Sequence, residues 1–352
     1  MYAGSGGSAA TAASRIGHWL TRFRDRTTKE ETMKIRSTAK LALGILLACA
    51  VGMAPAYADG YPEKPITLII PLGAGGSHDL NARVFTSVIP TYLGQPIVVK
   101  LMPGAGGQIG TAAAAKAAPD GYTLIFTHNY IDQLQQFVNK LPYDPTKDLV
   151  SIAQINYAPG AIVVRADKPW KTLKDMFDYG RKNPGKLKFG HSGNWGASMV
   201  PGAQLLAEAG VDATFIAHKG GGPAMQAVLA GDADFTIAFP SVIDAQGDKV
   251  RALAIAGDKS VLKGVPTYKE AGMKAAGGLG QMNRVVLAPR GIPPDRKAKL
   301  EAAFAKLNSD KTYQNLMKKI GENTLYLSGP EYEKERSAQK AAYQTLVKGL
   351  KK

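Results

Sequence analysis

Short apolar runs and longer helix-spaced stretches follow one another along the chain in a repeating order. The run Ile66–Ile70 (ITLII) precedes a stretch in which Leu80, Val84, Phe85, Val88, Ile89 and Tyr92 share one helical face and Gly94 supplies a stop. This predicts a strand over 66–70 and a helix near 79–93. The order recurs as PIVVKL then TAAAAKAA, AIVVRA then a helix over 172–182, LKFGHS then a helix over 198–209 closed by Gly210, and ATFIAH then PAMQAVLAG. YTLIFTH, FTIAF, RALAIAG and RVVLAP read as further strands. Two helical stretches, about 295–320 and 329–350, end the chain without strands of their own, so they must pack on strands laid down earlier. Strands alternating with helices predict an α/β fold with mainly parallel sheets flanked by helices.

The first 58 residues depart from this pattern. From Met33 a basic segment (MKIRSTAK), an apolar core (LALGILLACAVGM) and a small-residue site ending at Ala58 (APAYA) have the layout of a cleavable signal peptide over 33–58. Residues 1–32 are polar and patternless and read as an upstream extension. LLAC, ending at Cys49, faintly resembles a lipoprotein box, but the ordinary cleavage site fits better, so a soluble exported form is expected. Cys49 is the only cysteine of the 352 residues. A chain cleaved after Ala58 would lack disulfides, a thiolate nucleophile and any cysteine-based metal site.

Length suits two domains of ordinary size, and a hydrophobic content of 45% supplies the core. The net charge of +16 is spread along the chain and interleaved with acids, without the dense basic tract that nucleic-acid binding favours. Its plainest reading is a generally solvated basic surface, with steering of an anionic ligand the secondary reading.

Four glycine turns share one design: PLGAGGSHD (71–79), PGAGGQIG (103–110), GHSGNWGAS (190–198) and HKGGGPA (218–224). Each lies between a strand end and a helix start. Glycine lets backbone approach a ligand, and the helix start offers unpaired N–H groups and partial positive charge, so such turns hold anions. None carries the Lys-Ser/Thr of a P-loop, and GAGGQIG misses the dinucleotide fingerprint by one residue. Ser77, His78 and Asp79 hold the letters of a hydrolase triad but are adjacent on one turn, where they cannot converge. His78, His128, His191 and His218 lie near predicted strand ends without metal-ligand spacing, so no metal is expected. Asp79 and Ser77 each suit either a helix cap or a ligand contact.

YPEKPITLIIPLGAGGSHDLNAR, LGQPIVVKLMPGAGGQIGTAAAAKAAPDGYTL, LPYDPTKDL, GKLKFGHSGNWG, HKGGGPAMQAVLAGDADF, GVPTYKEAGM and LAPRGIPPD closely resemble the Bug family of extracytoplasmic solute receptors, the binding proteins of tripartite tricarboxylate transporters. The resemblance covers essentially all of 59–352. It implies a two-lobed, type II-like periplasmic binding protein whose lobes close over a small ligand. Residues 59–162 and 283–352 would form one lobe and 163–282 the other. It further implies a carboxylate ligand (aromatic and dicarboxylic acids among the candidates), membrane transporter subunits as partners, a monomer, no cofactor and no catalytic residue.

Carried over residue by residue, the first loop gives Leu72, Ala74, Gly75, Gly76, Ser77, His78 and Asp79, with 74–77 as the carboxylate contacts. The loop after GYTL gives Thr127, His128 and Asn129. The second lobe gives Ser192, Gly193, Trp195, Gly196, Ala197, His218 and Lys219. Trp195 stands where the family usually has glycine, and Gly196 and Ala197 where hydroxyls are common; Trp195 suits either stacking on a planar ligand or packing its own lobe. The rival reading, an exported hydrolase or transferase using the same cleft, lacks a G-x-S-x-G elbow. A receptor repurposed for sensing would have the same sequence.

Overall fold

The computed structural model describes residues 60–274 and 281–350. The expected signal peptide and upstream extension, with Cys49, lie outside the described residues. The elements are β1 (Ile66–Ile70), α1 (Ser77–Val88), β2 (Ile97–Leu101), α2 (Gln108–Ala115), β3 (Thr123–His128), β4 (Leu149–Pro159), β5 (Ala161–Arg165), α3 (Leu173–Lys182), β6 (Leu187–His191), α4 (Met199–Ala209), β7 (Ala213–Ala217), α5 (Gly221–Ala230), β8 (Phe235–Ala238), α6 (Pro240–Gln246), β9 (Val250–Ile255), β10 (Gln281–Pro289), α7 (Pro294–Ser309), α8 (Lys311–Lys319), β11 (Leu327–Ser328) and α9 (Gly329–Leu350), with short helical turns between some of them.

The strands form two sheets, in the orders β11-β4-β10-β3-β1-β2 and β7-β6-β8-β5-β9. Each is the middle of a lobe with its own apolar core. One core joins Leu68, Phe85, Phe126 and Ile152 to Phe304 and Tyr313. The other joins Phe177, Phe189, Phe235 and Leu253 to Tyr268.

The sheets are mixed, which corrects the expectation of mainly parallel ones. β1 is parallel to β2 and β3, and β6 to β7 and β8, but β10 is antiparallel to β3 and β4, and β5 to β8 and β9. The cause is the crossing of the chain between lobes. A strand fed by a helix of its own lobe ends at the gap between the sheets. β5 and β10 arrive from the other lobe and therefore begin there, so they run against their neighbours.

β4 escapes the apolar-run criterion because buried polar residues interrupt it. Ser151 donates to the Gly329 carbonyl at 2.6 Å, Gln154 to that of Leu325 at 3.3 Å, and Asn156 to Asn81 Oδ1 at 3.0 Å. The first two bonds, and a further one from Asn156 to the Asn323 carbonyl at 3.2 Å, fasten the returning C-terminal segment, which does carry one short strand, β11, on the outer edge of β4. The expected helix over 295–320 is two helices, because the Asp310 carboxylate caps α8 by accepting from Tyr313 N–H at 2.8 Å.

Candidate functional site

Loops that follow the carboxyl ends of β1, β2, β6 and β7 meet across the gap between the sheets, where α/β sheets hold ligands. Gly73 N–H donates to the Lys219 carbonyl at 2.7 Å, one backbone bond directly between the lobes. Around it the approach is too close for side chains. A Cβ on Gly222 would lie 2.1 Å from the Ala74 carbonyl oxygen, and one on Gly106 would lie 2.9 Å from that of Asn194. Two loop pairs thus face each other, 73–76 against 220–222 and 104–107 against 193–194.

Two adjoining cavities lie between them and share Leu72 and Ser192 in their walls. The larger, about 330 Å³, is lined by Gly104 to Gln108, Gly193, Asn194, His218 and Lys219. The smaller, about 20 Å³, has a polar end of Gly76, Ser77, His78 and His128 and an apolar wall of Ala197, Ile237, Phe239, Val242 and Met282. Gly221, at the first turn of α5, also borders it, so the N-termini of α1 and α5 both reach this cavity. Their free N–H groups and partial positive charges suit an anion.

His78 and His128 add no charge. The His78 and His128 rings lie 5.2 Å apart, each about 2% exposed. Burial, then the neighbouring His128 and Arg284, hold His78 well below the ordinary imidazole range. Burial and then Arg284 push His128 down to about 3. His191 is lowered by burial and then by His218. The four histidines thus come together in two pairs, and among the described residues no group of three or more His, Cys, Asp or Glu side chains could hold a metal ion.

Leu72, Gly76, Ser77, His78, His128, Ser192, Gly193, Ala197, His218 and Lys219 line the two cavities. The other sequence candidates do not. Ala74 and Gly75 are exposed on the outer side of their loop. Asp79, 3% exposed, accepts from Gly75 N–H at 2.9 Å and lies 3.0 Å from the Arg83 guanidinium, so it braces the loop from behind. Thr127 is fully buried beneath the site. Asn129 bonds the Tyr343 hydroxyl at 2.7 Å and Asn283 N–H at 3.0 Å, and borders a separate cavity on the first lobe. Trp195 holds a left-handed backbone (φ 57°) and packs against an apolar cluster where Ala197 and Val200 meet Tyr130, Leu134 and Val347 of the first lobe. Gly196 N–H bonds the Gly193 carbonyl within the same turn.

The sequence reading named 103–110 as an anion-holding turn but put none of its residues in the candidate site, although its Gly106 carbonyl accepts from Gln135 Nε2 at 2.7 Å and the turn lines the larger cavity, and it missed the apolar wall from β8, α6 and β10. The first carried a signal, its glycines; the second carried none.

Because Asp79 tethers Gly75, Asp79→Ala is expected to lower stability by about 1.5–3 kcal/mol, the scale of a lost hydrogen bond to a charged group. Thermal unfolding measures the loss, and faster amide exchange at Gly75 locates it.

Two α/β lobes whose strand-to-helix loops meet over a shared anion-favouring cavity define a solute receptor of the periplasmic-binding-protein class. Residues 81–351 match the family model of the tripartite tricarboxylate transporter family receptor. The chain belongs to that family, whose members include the Bug proteins. A UPF0065 protein encoded in the gbd 5′ region of Cupriavidus necator is 34% identical over 303 residues, 84% of this chain and 89% of that protein. The structure of the periplasmic binding protein BugD superposes with a TM-score of 0.78 at 28% identity, covering 82% of this chain and 98% of that one. MatC from Rhodopseudomonas palustris with bound malate gives 0.75 at 28% identity, covering 82% of this chain and all of that one (100%). BugD is a periplasmic binding protein and MatC holds malate, and receptors of this family are periplasmic.

Proposed function

We propose that this receptor captures a small organic carboxylate between its lobes and hands it, unaltered, to the membrane subunits of a tripartite tricarboxylate-type transporter, with 33–58 serving as its export signal. The observation that carries the reading is the meeting of the α1 and α5 N-termini at one cavity, since their free N–H groups recognise a carboxylate and only the closed arrangement brings both to it. Closure then follows from the ligand's better affinity for the closed state. The malate held by MatC supports a carboxylate. The wall of Ile237, Phe239, Val242 and Met282 suits an acid with an apolar group beside its carboxylate, the rest of its body extending into the larger cavity. Gly76, Ser77 and Gly221 would hold the carboxylate, and Lys219 and His218 would face its far end from the larger cavity.

A thermal-shift screen of organic acids tests this. One compound is expected to raise Tm with the concentration dependence of specific binding, about 2.7 kcal/mol at a hundredfold excess over Kd. The same compound should be recovered intact. Its turnover would favour the hydrolase or transferase reading, and a flat screen across mono-, di- and tricarboxylates would remove the carboxylate assignment.

A further inference from the structure

We infer that His78 is a fixed hydrogen-bond acceptor in the ligand site, so that this receptor selects acids carrying an O–H or N–H donor beside the carboxylate. The inference rests on the receptor reading above and names the substrate class within it.

His78 sits in the first turn of α1, 2% exposed, between the Phe126 ring at 5.0 Å and the His128 ring at 5.2 Å. It hydrogen-bonds the backbone of Thr127 in a way that favours the protonated ring, so the ring donates and the Thr127 carbonyl accepts. The ring nitrogen left over is Nε2, which is buried and has no partner in the protein. In a neutral imidazole the nitrogen that does not donate carries a lone pair. Burial, His128 and the guanidinium of Arg284 keep the ring neutral, so Nε2 remains an acceptor.

His78 lines the same small cavity as Gly76, Ser77 and Gly221, where the carboxylate is expected. A second carboxylate oxygen placed opposite Nε2 would set lone pair against lone pair. A hydroxyl, amine or amide N–H on the neighbouring carbon would satisfy both partners. A donor-free acid would bury Nε2 without a partner, and such unpaired buried groups are what make recognition of a single polar group selective.

The test uses matched acids that differ by one donor: succinate against L-malate and L-aspartate, glutarate against 2-hydroxyglutarate, and phenylacetate against mandelate. In calorimetric titrations of the full mature protein, the donor-bearing member of the series that binds should bind at least about tenfold tighter. His78→Phe keeps an aromatic ring between Phe126 and His128 but removes the acceptor, and should cut that preference below about threefold. His78→Gln restores an acceptor and should recover part of it. In the free wild-type protein, the ¹⁵N resonance of His78 Nε2 should be of the unprotonated type, and it should move on binding the hydroxy acid. That reading needs no variant to fold. Twins that bind equally, an unchanged preference in His78→Phe, or a protonated Nε2 would overturn the inference while leaving the receptor reading intact. Failure of every acid to bind would overturn both.

Discussion

Replacing Arg284 by methionine is expected to cost about 3–5 kcal/mol of folding stability, the range for stranding one partner of a buried ion pair. Arg284 lies on β10 with no exposed surface, opposite His128 of β3 and Asn156 of β4. Its guanidinium donates to both carboxylate oxygens of Glu322, at 2.9 and 3.0 Å, and to Asn156 Oδ1 at 3.0 Å. Glu322 is buried too, and its Oε1 also accepts from the Ser241 hydroxyl at 2.6 Å, on α6 of the second lobe. The pair therefore anchors the returning C-terminal segment beneath the ligand site and touches the other lobe. With methionine at 284 the Glu322 carboxylate keeps the Ser241 bonds but loses its only cationic partner within bonding distance among the described residues. Urea unfolding of R284M at neutral pH measures the loss. The double variant R284M/E322L should recover at least half of it, because an apolar pair strands no charge. A single variant within 1 kcal/mol of wild type would mean that Glu322 reaches solvent or takes a proton, contrary to its placement here.

The elements that hold the site were the easiest to read. An apolar run, a glycine turn and a helix-spaced stretch specify β1 to α1 and β6 to α4 from local residues alone, and the turns fall where these signals put them. The long-range features were opaque for physical reasons. Hydrophobic period identifies a strand but not its direction, so β5 and β10 gave no hint that they run against their neighbours. β4 hides behind Ser151, Gln154 and Asn156, whose burial is tolerated only because segments far along the chain satisfy them. Within the site, a loop's residues are contiguous in sequence, but the opposite lobe decides which of them face the cavity. Gly76 and Ser77 face it while Ala74 and Gly75 face outward. Trp195 stands out in sequence as a bulky residue in a glycine turn. Its partners, α9 and the 130–134 segment, lie elsewhere in the chain, and they draw the indole to the interlobe packing.

Gly222→Ala should separate closure from folding. Gly222 lies inside α5 and has no positive φ, so alanine suits its backbone and should strengthen the helix by up to about 1 kcal/mol. The added methyl would nonetheless sit 2.1 Å from the Ala74 carbonyl oxygen and 2.8 Å from Gly75 C and Gly76 N. Those are backbone atoms of the facing loop, so no side-chain rotation relieves the overlap, and the lobes must part. Parting them breaks the Gly73-to-Lys219 bond and draws the α5 N-terminus away from that of α1. A ligand that binds the closed form then pays for its scarcity, since the apparent Kd rises as the closed fraction falls. If closing costs the variant about 3 kcal/mol more than wild type, the affinity for the cognate acid should drop about 150-fold. Calorimetric titration reads the drop, and at a ligand concentration that just saturates wild type, small-angle scattering should give the variant the same enlarged radius with and without ligand. Thermal unfolding without ligand should stay at or above the wild-type value. Full affinity together with a ligand-induced compaction equal to wild type would mean that the loops do not approach this closely when the acid is held, and that the backbone contact between Gly73 and Lys219 is not part of the bound state.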